Sequence, residues 1–231
     1  MTVRMGLIRK KADWTLEDFD AYWHASHGSL ARRAPQLREY WQNLVLDRLQ
    51  RGIEFDRGPW ELDGISQLRF DDASQSAQAF DGSALAAELL QDEQYFLDGL
   101  HIVTAEPTVV IAIPAQQDRS ALLKRMSIIT RLPSVSEEDF RREWTIHGEL
   151  VRRMAGVSAY RQNVIVGRER VKGLPCSYDE LPMDGIVELW FKDAATLEAA
   201  FNSQAGRKTM AHAKTFLSQI TAFVVGERKI L

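Results

Sequence analysis

Phe19-Asp20-Ala21-Tyr22-Trp23-His24-Ala25-Ser26-His27-Gly28-Ser29-Leu30-Ala31-Arg32-Arg33 returns later in the chain as Phe140-Arg141-Arg142-Glu143-Trp144-Thr145-Ile146-His147-Gly148-Glu149-Leu150-Val151-Arg152-Arg153. The echo continues outward. Tyr40-Trp41-Gln42-Asn43 recurs as Tyr160-Arg161-Gln162-Asn163, Asp63-Gly64-Ile65 as Asp184-Gly185-Ile186, and Phe70-Asp71-Asp72-Ala73 as Phe191-Lys192-Asp193-Ala194. Most pairs stand 121 residues apart, but from His27 to Asn43 the offset is 120, so the second copy is one residue shorter between its Trp and its His. A period this long marks duplicated whole domains, since solenoid repeats run to roughly 20–50 residues. The expected units are 1–117 and 118–231, joined by a short linker at Pro114–Ser120.

Each unit repeats one order of elements. Val3–Arg9 and Lys124–Thr130 are apolar runs of strand length. Asp13 with Glu17, and Ser136 with Asp139, signal helix starts. Leu37–Leu46 and Val157–Val166 are rich in Tyr, Val, Ile and Leu, while Ile65–Phe70 and Ile186–Phe191 alternate as strands do. Ala73–Phe96 and Ala194–Leu217 have helical spacing, and His101–Ile113 and Ile220–Val225 close the units. The order β-α-β-β-α-β gives an α+β fold of two ferredoxin-like units in tandem. Each sheet has one face covered by helices and one bare, so the two bare faces are expected to pack as an α/β barrel within one chain.

Composition narrows the partners. The chain has 45% hydrophobic and 26% charged residues and a net charge of −3, which offers no general attraction to nucleic acid or an anionic membrane. Residues 1–117 carry −7 and residues 118–231 carry +4, so the halves attract each other weakly through screened surface charge. The single cysteine, Cys176, excludes an intrachain disulfide and a Cys-rich metal site, and no metal is expected. Charges interrupt the first apolar stretch, so no signal or membrane span is expected and the cytoplasm is the default location.

The pattern Phe-x3-Trp-x3-His-Gly-x-Leu, then Tyr-x-Gln-Asn, then Asp-Gly-Ile-x-x-Leu-x-Phe, resembles the EthD-like family of the dimeric α/β-barrel superfamily. The resemblance covers nearly all of both units. It implies the barrel, and a pseudo-dimer within one polypeptide where typical members pair two chains; the tandem is expected to be a monomer of that kind or a homodimer. For activity it implies a range: isomerases of muconolactone type, small lyases, cofactor-free monooxygenases and haem-binding proteins. Trp144 and His147 depart from the pattern, standing three apart instead of four.

Two sets of residues are candidates for chemistry. Phe19, Trp23, His27 and Leu30 share a helix face, as do Phe140, Trp144, His147 and Val151, so both histidines point toward the sheet or the barrel mouth. They are core histidines, general acids or bases, or haem ligands. Strand alternation sends a second set into the barrel: Trp41, Asn43, Gln67 and Arg69 from one unit, and Arg161, Asn163, Glu188 and Trp190 from the other. Glu188 is the sharpest difference between units. In a partly apolar barrel its pKa is expected to rise toward acid–base duty, unless Arg69 or Arg161 pairs with it. The Asn pair suits a carbonyl or enolate oxygen, or a sheet irregularity. Arg32-Arg33 and Arg152-Arg153 suit an acidic substrate or, more simply, helix C-termini.

The reading is a cofactor-independent lyase or isomerase. Its substrate is a small oxygenated cyclic or aromatic metabolite, with His27 or His147 moving the proton. Haem or small-ligand binding without turnover is the first alternative, and a purely structural or partner-binding module the second.

Overall fold

The structure is a computed structural model that describes residues 1–80 and 83–231. The first unit runs β1 (Thr2–Lys10), α1 (Leu16–Tyr22), a π-helical turn (Trp23–His27), α2 (Gly28–Ala31), β2 (Glu39–Asp47), β3 (Gly64–Phe70), α3 (Ala73–Gln78), α4 (Ala84–Phe96) and β4 (Leu97–Ile111). A short helix in the linker, α5 (Gln116–Arg119), leads to β5 (Leu123–Arg131), α6 (Glu137–Val151), β6 (Val157–Val171), β7 (Leu174–Pro175), β8 (Gly185–Phe191), α7 (Ala194–Asn202), α8 (Gln204–Ala213) and β9 (Leu217–Lys229). The expected helices over 73–96 and 194–217 are each broken in two; residues 81 and 82, inside the first, lie outside the described residues.

All named strands except β7 form one closed antiparallel barrel, ordered β4-β1-β3-β2-β9-β5-β8-β6, with β4 pairing β6 to close the ring. The two seams between units are β2 with β9, in register Trp41↔Lys229, and β4 with β6, in register Thr108↔Gln162. Val3, Met5, Leu7, Ile65, Val103, Met126, Ile128, Ile186, Phe223 and Val225 fill the barrel. Outside it, each sheet face packs under its own helices: Tyr160, Leu189 and Phe191 meet Phe140, Trp144, Val151 and Leu197, while Tyr40, Leu68 and Phe70 meet Ala31 and Leu89.

The repeated motifs have structural causes. Trp23 and Trp144 are fully buried, and each indole lies where a side chain at Gly64 or Gly185 would stand, which fixes that glycine. Asp63 and Asp184 each accept the backbone N–H that ends β1 or β5, from Lys10 at 2.9 Å and Arg131 at 2.7 Å. Gln42 Nε2 donates to Trp23 O and Tyr40 Oη at 2.7 and 2.9 Å, and Gln162 repeats both bonds with Trp144 and Tyr160. Gly28 and Gly148 leave room for those amides: an added Cβ would stand 3.4 and 3.3 Å from them. The helix starts on Thr15 in the first unit, not at Asp13, and on Ser136 in the second; each hydroxyl accepts the N–H three residues on.

The one-residue difference between Trp and His is absorbed by the π-turn. Gly28 N–H reaches back five residues to Trp23 O, whereas α6 stays α-helical throughout. His27 and His147 therefore reach equivalent places despite their different spacing, beside Phe96 and Phe216 with ring centroids 5.3 and 5.7 Å apart.

Candidate functional site

The two candidate sets lie on opposite faces of the barrel wall. The polar strand residues point inward and do converge. Glu188 Oε1 accepts from Arg161 Nε at 2.7 Å, Asn163 Nδ2 at 2.9 Å and Gln67 Nε2 at 3.0 Å, while Oε2 meets Arg161 Nη2 and Lys124 Nζ, both at 2.8 Å. Lys124 also donates to Asn43 Oδ1 at 2.7 Å and Glu227 at 2.9 Å. Trp190 Nε1 donates to Glu227 at 3.2 Å, and Trp41, bonded to Glu39 at 3.1 Å, lies under the Arg119 guanidinium. Arg69 pairs with Glu39 at 3.3 Å. Trp41, Gln67, Arg69 and Arg161 reach a recess of about 180 Å³ at the barrel end.

The expected rise in the Glu188 pKa is reversed. Burial alone would raise it, but the Arg161 and Lys124 charges and hydrogen bonds outweigh that effect and hold the carboxyl far below its ordinary range. Asn43 and Asn163 each donate to the carbonyl of the adjacent strand, Ile65 and Ile186, at 2.9 Å. The inner network is a polar core whose members mostly bond one another, though Asn163 Oδ1 is buried without a hydrogen-bond partner among the described residues.

The histidines lie outside the barrel, each at a cavity between helices and sheet, rather than at the barrel mouth. His27, 8% exposed, places Nδ1 2.6 Å from Asp92 Oδ2, and Tyr22 Oη donates to Asp92 Oδ1 at 2.7 Å. Burial would raise the Asp92 carboxyl, but hydrogen bonds from His27 and Tyr22 and the imidazole's charge bring it below its usual value. The carboxylate stays ionised and holds the ring through Nδ1. Arg4, Ser66 and Lys172 line the same cavity of about 50 Å³. Arg4 is neutralised by a two-pronged ion pair with Glu169, reaching over from the other unit; Nη2 stands 2.7 Å from Oε2.

The sister cavity, about 40 Å³, is lined by His147, Arg125, Ser127, Tyr160 and apolar side chains. At the Asp92 position, 120 residues on, stands His212, and at the Tyr22 position, 121 on, stands Glu143. His212 Nδ1 lies 3.4 Å from His147 Nδ1, and its Nε2 lies 3.3 Å from Glu143. Burial, helped by His212, pushes His147 down to about 3, so it is neutral at pH 7. His212, which the sequence alone left without a counterpart, is thus the sister of Asp92. The Arg pairs at 32–33 and 152–153 point away: Arg33 pairs with Glu88 and Arg152 with Glu149 at the surface.

Sequence reasoning missed Asp92, Tyr22, Arg4 and Arg125. For Arg4 and Arg125 the signal was the 121-residue offset that aligns them. For Asp92 that offset, which holds from Asp63 to Ala73, points to Ala213, and only the structure brings out His212, 120 residues on, as its counterpart.

The described residues include no cluster suited to a metal ion and no helix long and apolar enough to cross a membrane. A 4-carboxymethyl-4-methylbutenolide mutase of Pseudomonas reinekei is 24% identical over 106 residues, covering 46% of this chain and 98% of that protein. An anthrone oxidase-like protein superposes with a TM-score of 0.64 at 8% identity, covering 99% of this chain and 93% of the other. A DypB variant of Rhodococcus jostii in complex with haem superposes with a TM-score of 0.50 at 9% identity, over 97% and 92% of the two chains. These structural likenesses establish the dimeric α/β-barrel fold. Haem requires an axial side chain facing a cavity of macrocycle width, and cavities of about 50 and 40 Å³ fall far short of that. The residues present do not fit haem at either histidine. Residues 11–100 and 132–220 both match the EthD domain, and the chain belongs to the EthD family as a tandem of two such domains.

Proposed function

We propose that this chain is an isomerase or lyase that works without a cofactor, moving a proton on a small oxygenated cyclic or aromatic metabolite, with His27 as the proton carrier. The observation that carries the reading is the Tyr22–Asp92–His27 chain at the edge of a cavity. An imidazole whose Nδ1–H is held by a carboxylate has Nε2 left for proton transfer, the arrangement of a general base. The mutase similarity supports the same chemistry, since that protein's name describes rearrangement of an unsaturated lactone.

In the proposed step His27 Nε2 removes a proton from carbon beside a carbonyl, giving an enolate and an imidazolium. Returning the proton to a different carbon completes an isomerisation. Returning it to a leaving hydroxyl releases water and completes a dehydration. Arg4 and Ser66 line the wall where the enolate oxygen would develop.

The test is a set of unsaturated lactones and hydroxylated aromatics incubated in D₂O with the purified protein and followed by NMR. Isomerisation or exchange with deuterium uptake, lost in His27→Asn and weakened in Asp92→Asn, is the expected result. Turnover that survives His27→Asn undiminished overturns the assignment.

A further inference from the structure

Arg125 is 2% exposed and has no carboxylate partner among the described residues. Its Nη1 donates to the carbonyl of Arg51 at 3.0 Å, its Nε lies 3.4 Å from Ser127 Oγ, and its face rests on Phe201. Burial, together with the charge of another cation, Arg57, lowers the guanidinium to about 9. A buried cation left in this state is costly unless something anionic visits it.

The sister unit shows what a satisfied version looks like. Gly52 and Gly173, both with φ near +80°, mark the same point of the arm that each unit lays across the other's pocket. Counting back from them aligns Glu169, the counter-ion of Arg4, with Arg48. The first unit's pocket thus carries its own carboxylate, and the second has a cation at the matching position of its covering arm. Arg48 itself is engaged with Asp63 at 2.8 Å.

The surroundings suit an acid with an apolar body. Around Arg125 the inner cavity is walled by Trp144, Leu189 and Ile220, with His147 at its edge. Ile53, Phe201 and Met210 also line an outer vestibule of about 480 Å³ that carries two cations, Arg207 and Lys214, and one carboxylate, Glu54. An anion drawn to the basic vestibule passes these three side chains to reach Arg125. The inner cavity, about 40 Å³, suits a carboxylate head, and the vestibule, about 480 Å³, suits a ring.

We propose that the pocket of the second unit is a binding site for a small organic carboxylate with a cyclic, apolar body, its acid group taken by Arg125. This site is separate from the acid–base reading of the first unit and does not depend on it.

The experiment is a calorimetric and NMR titration of the whole chain with acetate, propionate and phenylacetate, each against its neutral amide. The expected result is binding of at least one acid at least tenfold tighter than its amide, shifting the Arg125 Nε–H and His147 ring signals. Ser127→Asp sets a carboxylate beside the guanidinium, so it is expected to raise the melting temperature and abolish acid binding. Glu169→Gln, which uncovers Arg4, is expected to raise the stoichiometry from one acid to two. His27→Asn is expected to leave acid binding intact even if it ends turnover, which keeps the two proposals distinguishable. Acids bound no better than amides in the wild-type protein, or bound equally in a folded Ser127→Asp variant, overturn the proposal.

Discussion

The two pockets descend from one sequence pattern and have reached opposite electrostatic solutions. In the first, each group has its partner: Arg4 with Glu169, and His27 with Asp92. In the second, Arg125 has no counter-ion among the described residues, and a second imidazole stands where the orienting carboxylate was. Paired groups hold an imidazole in one tautomer for repeated use, whereas unpaired buried charge stores a preference for a ligand of opposite sign. The difference teaches that identical histidines in a repeat need not share surroundings, because each one's ring partner lies 65 positions away on another helix.

The comparison breaks most visibly in catalysis. If only the first histidine is oriented for proton transfer, His27→Asn should lower turnover by roughly 10²–10⁴-fold, while His147→Asn should lower it far less; equal losses would show that the pockets work alike.

Acid unfolding gives the next largest contrast. His147 binds a proton in the unfolded chain near its ordinary value and in the folded chain only near about 3. The unfolded state therefore holds more protons between those values, so this histidine's contribution is complete above the unfolded pKa and is lost as pH falls through the window. Between pH 7 and 4 the loss should be roughly 3 kcal/mol, at about 1.4 kcal/mol per pH unit. Urea unfolding of wild type and His147→Asn at several pH values checks it, with a flatter profile expected in the variant.

Charge removal should have opposite signs in the two pockets. Arg4→Met strands Glu169 and should destabilise by about 2–3 kcal/mol, less than a fully buried pair because Glu169 is partly exposed. Arg125→Met removes a buried charge without a counter-ion and should be neutral or stabilising by about 1 kcal/mol. Denaturant midpoints at fixed slope decide this, and destabilisation by both would erase the contrast.

The smallest effect concerns the π-turn. Deleting Ala25 gives the first helix the Trp–His spacing of the second, which already folds as a plain α-helix. The change in stability should stay within about 1 kcal/mol, a few degrees in melting temperature for a chain of this size.

The fold was readable because it rests on local periodicity. Alternation placed Leu189 and Phe191 under helices and Glu188 and Trp190 inside the barrel, and the strand pairing has that register. The site was less readable. Which side of the sheet bears the cavities depends on helix-to-helix contacts such as His27 to Asp92, and on arms crossing between units such as Glu169 to Arg4. Neither relation leaves a period in the sequence. Glu188 shows the limit from the other direction: its burial was legible, but the direction of its pKa depended on Lys124, which sits on β5 and pairs with Trp190 in register. The Thr15 cap was misplaced by two residues because Asp13 carries the same chemical signal.

One contact inside the barrel has a consequence for how this chain can change over time. Gln67 and Glu188 occupy the same position in their respective units and face each other across the barrel, with Nε2 and Oε1 3.0 Å apart. In a homodimer, the two-fold axis would oblige such a position to meet itself, amide on amide or carboxylate on carboxylate. Two carboxylates so placed would repel, and neither Arg161 nor Lys124 could serve one without also appearing opposite the other. Joining the units into one polypeptide lifts that obligation. Each half mutates alone, so a donor can face an acceptor, and the same freedom lets one pocket keep its counter-ion while the other loses it.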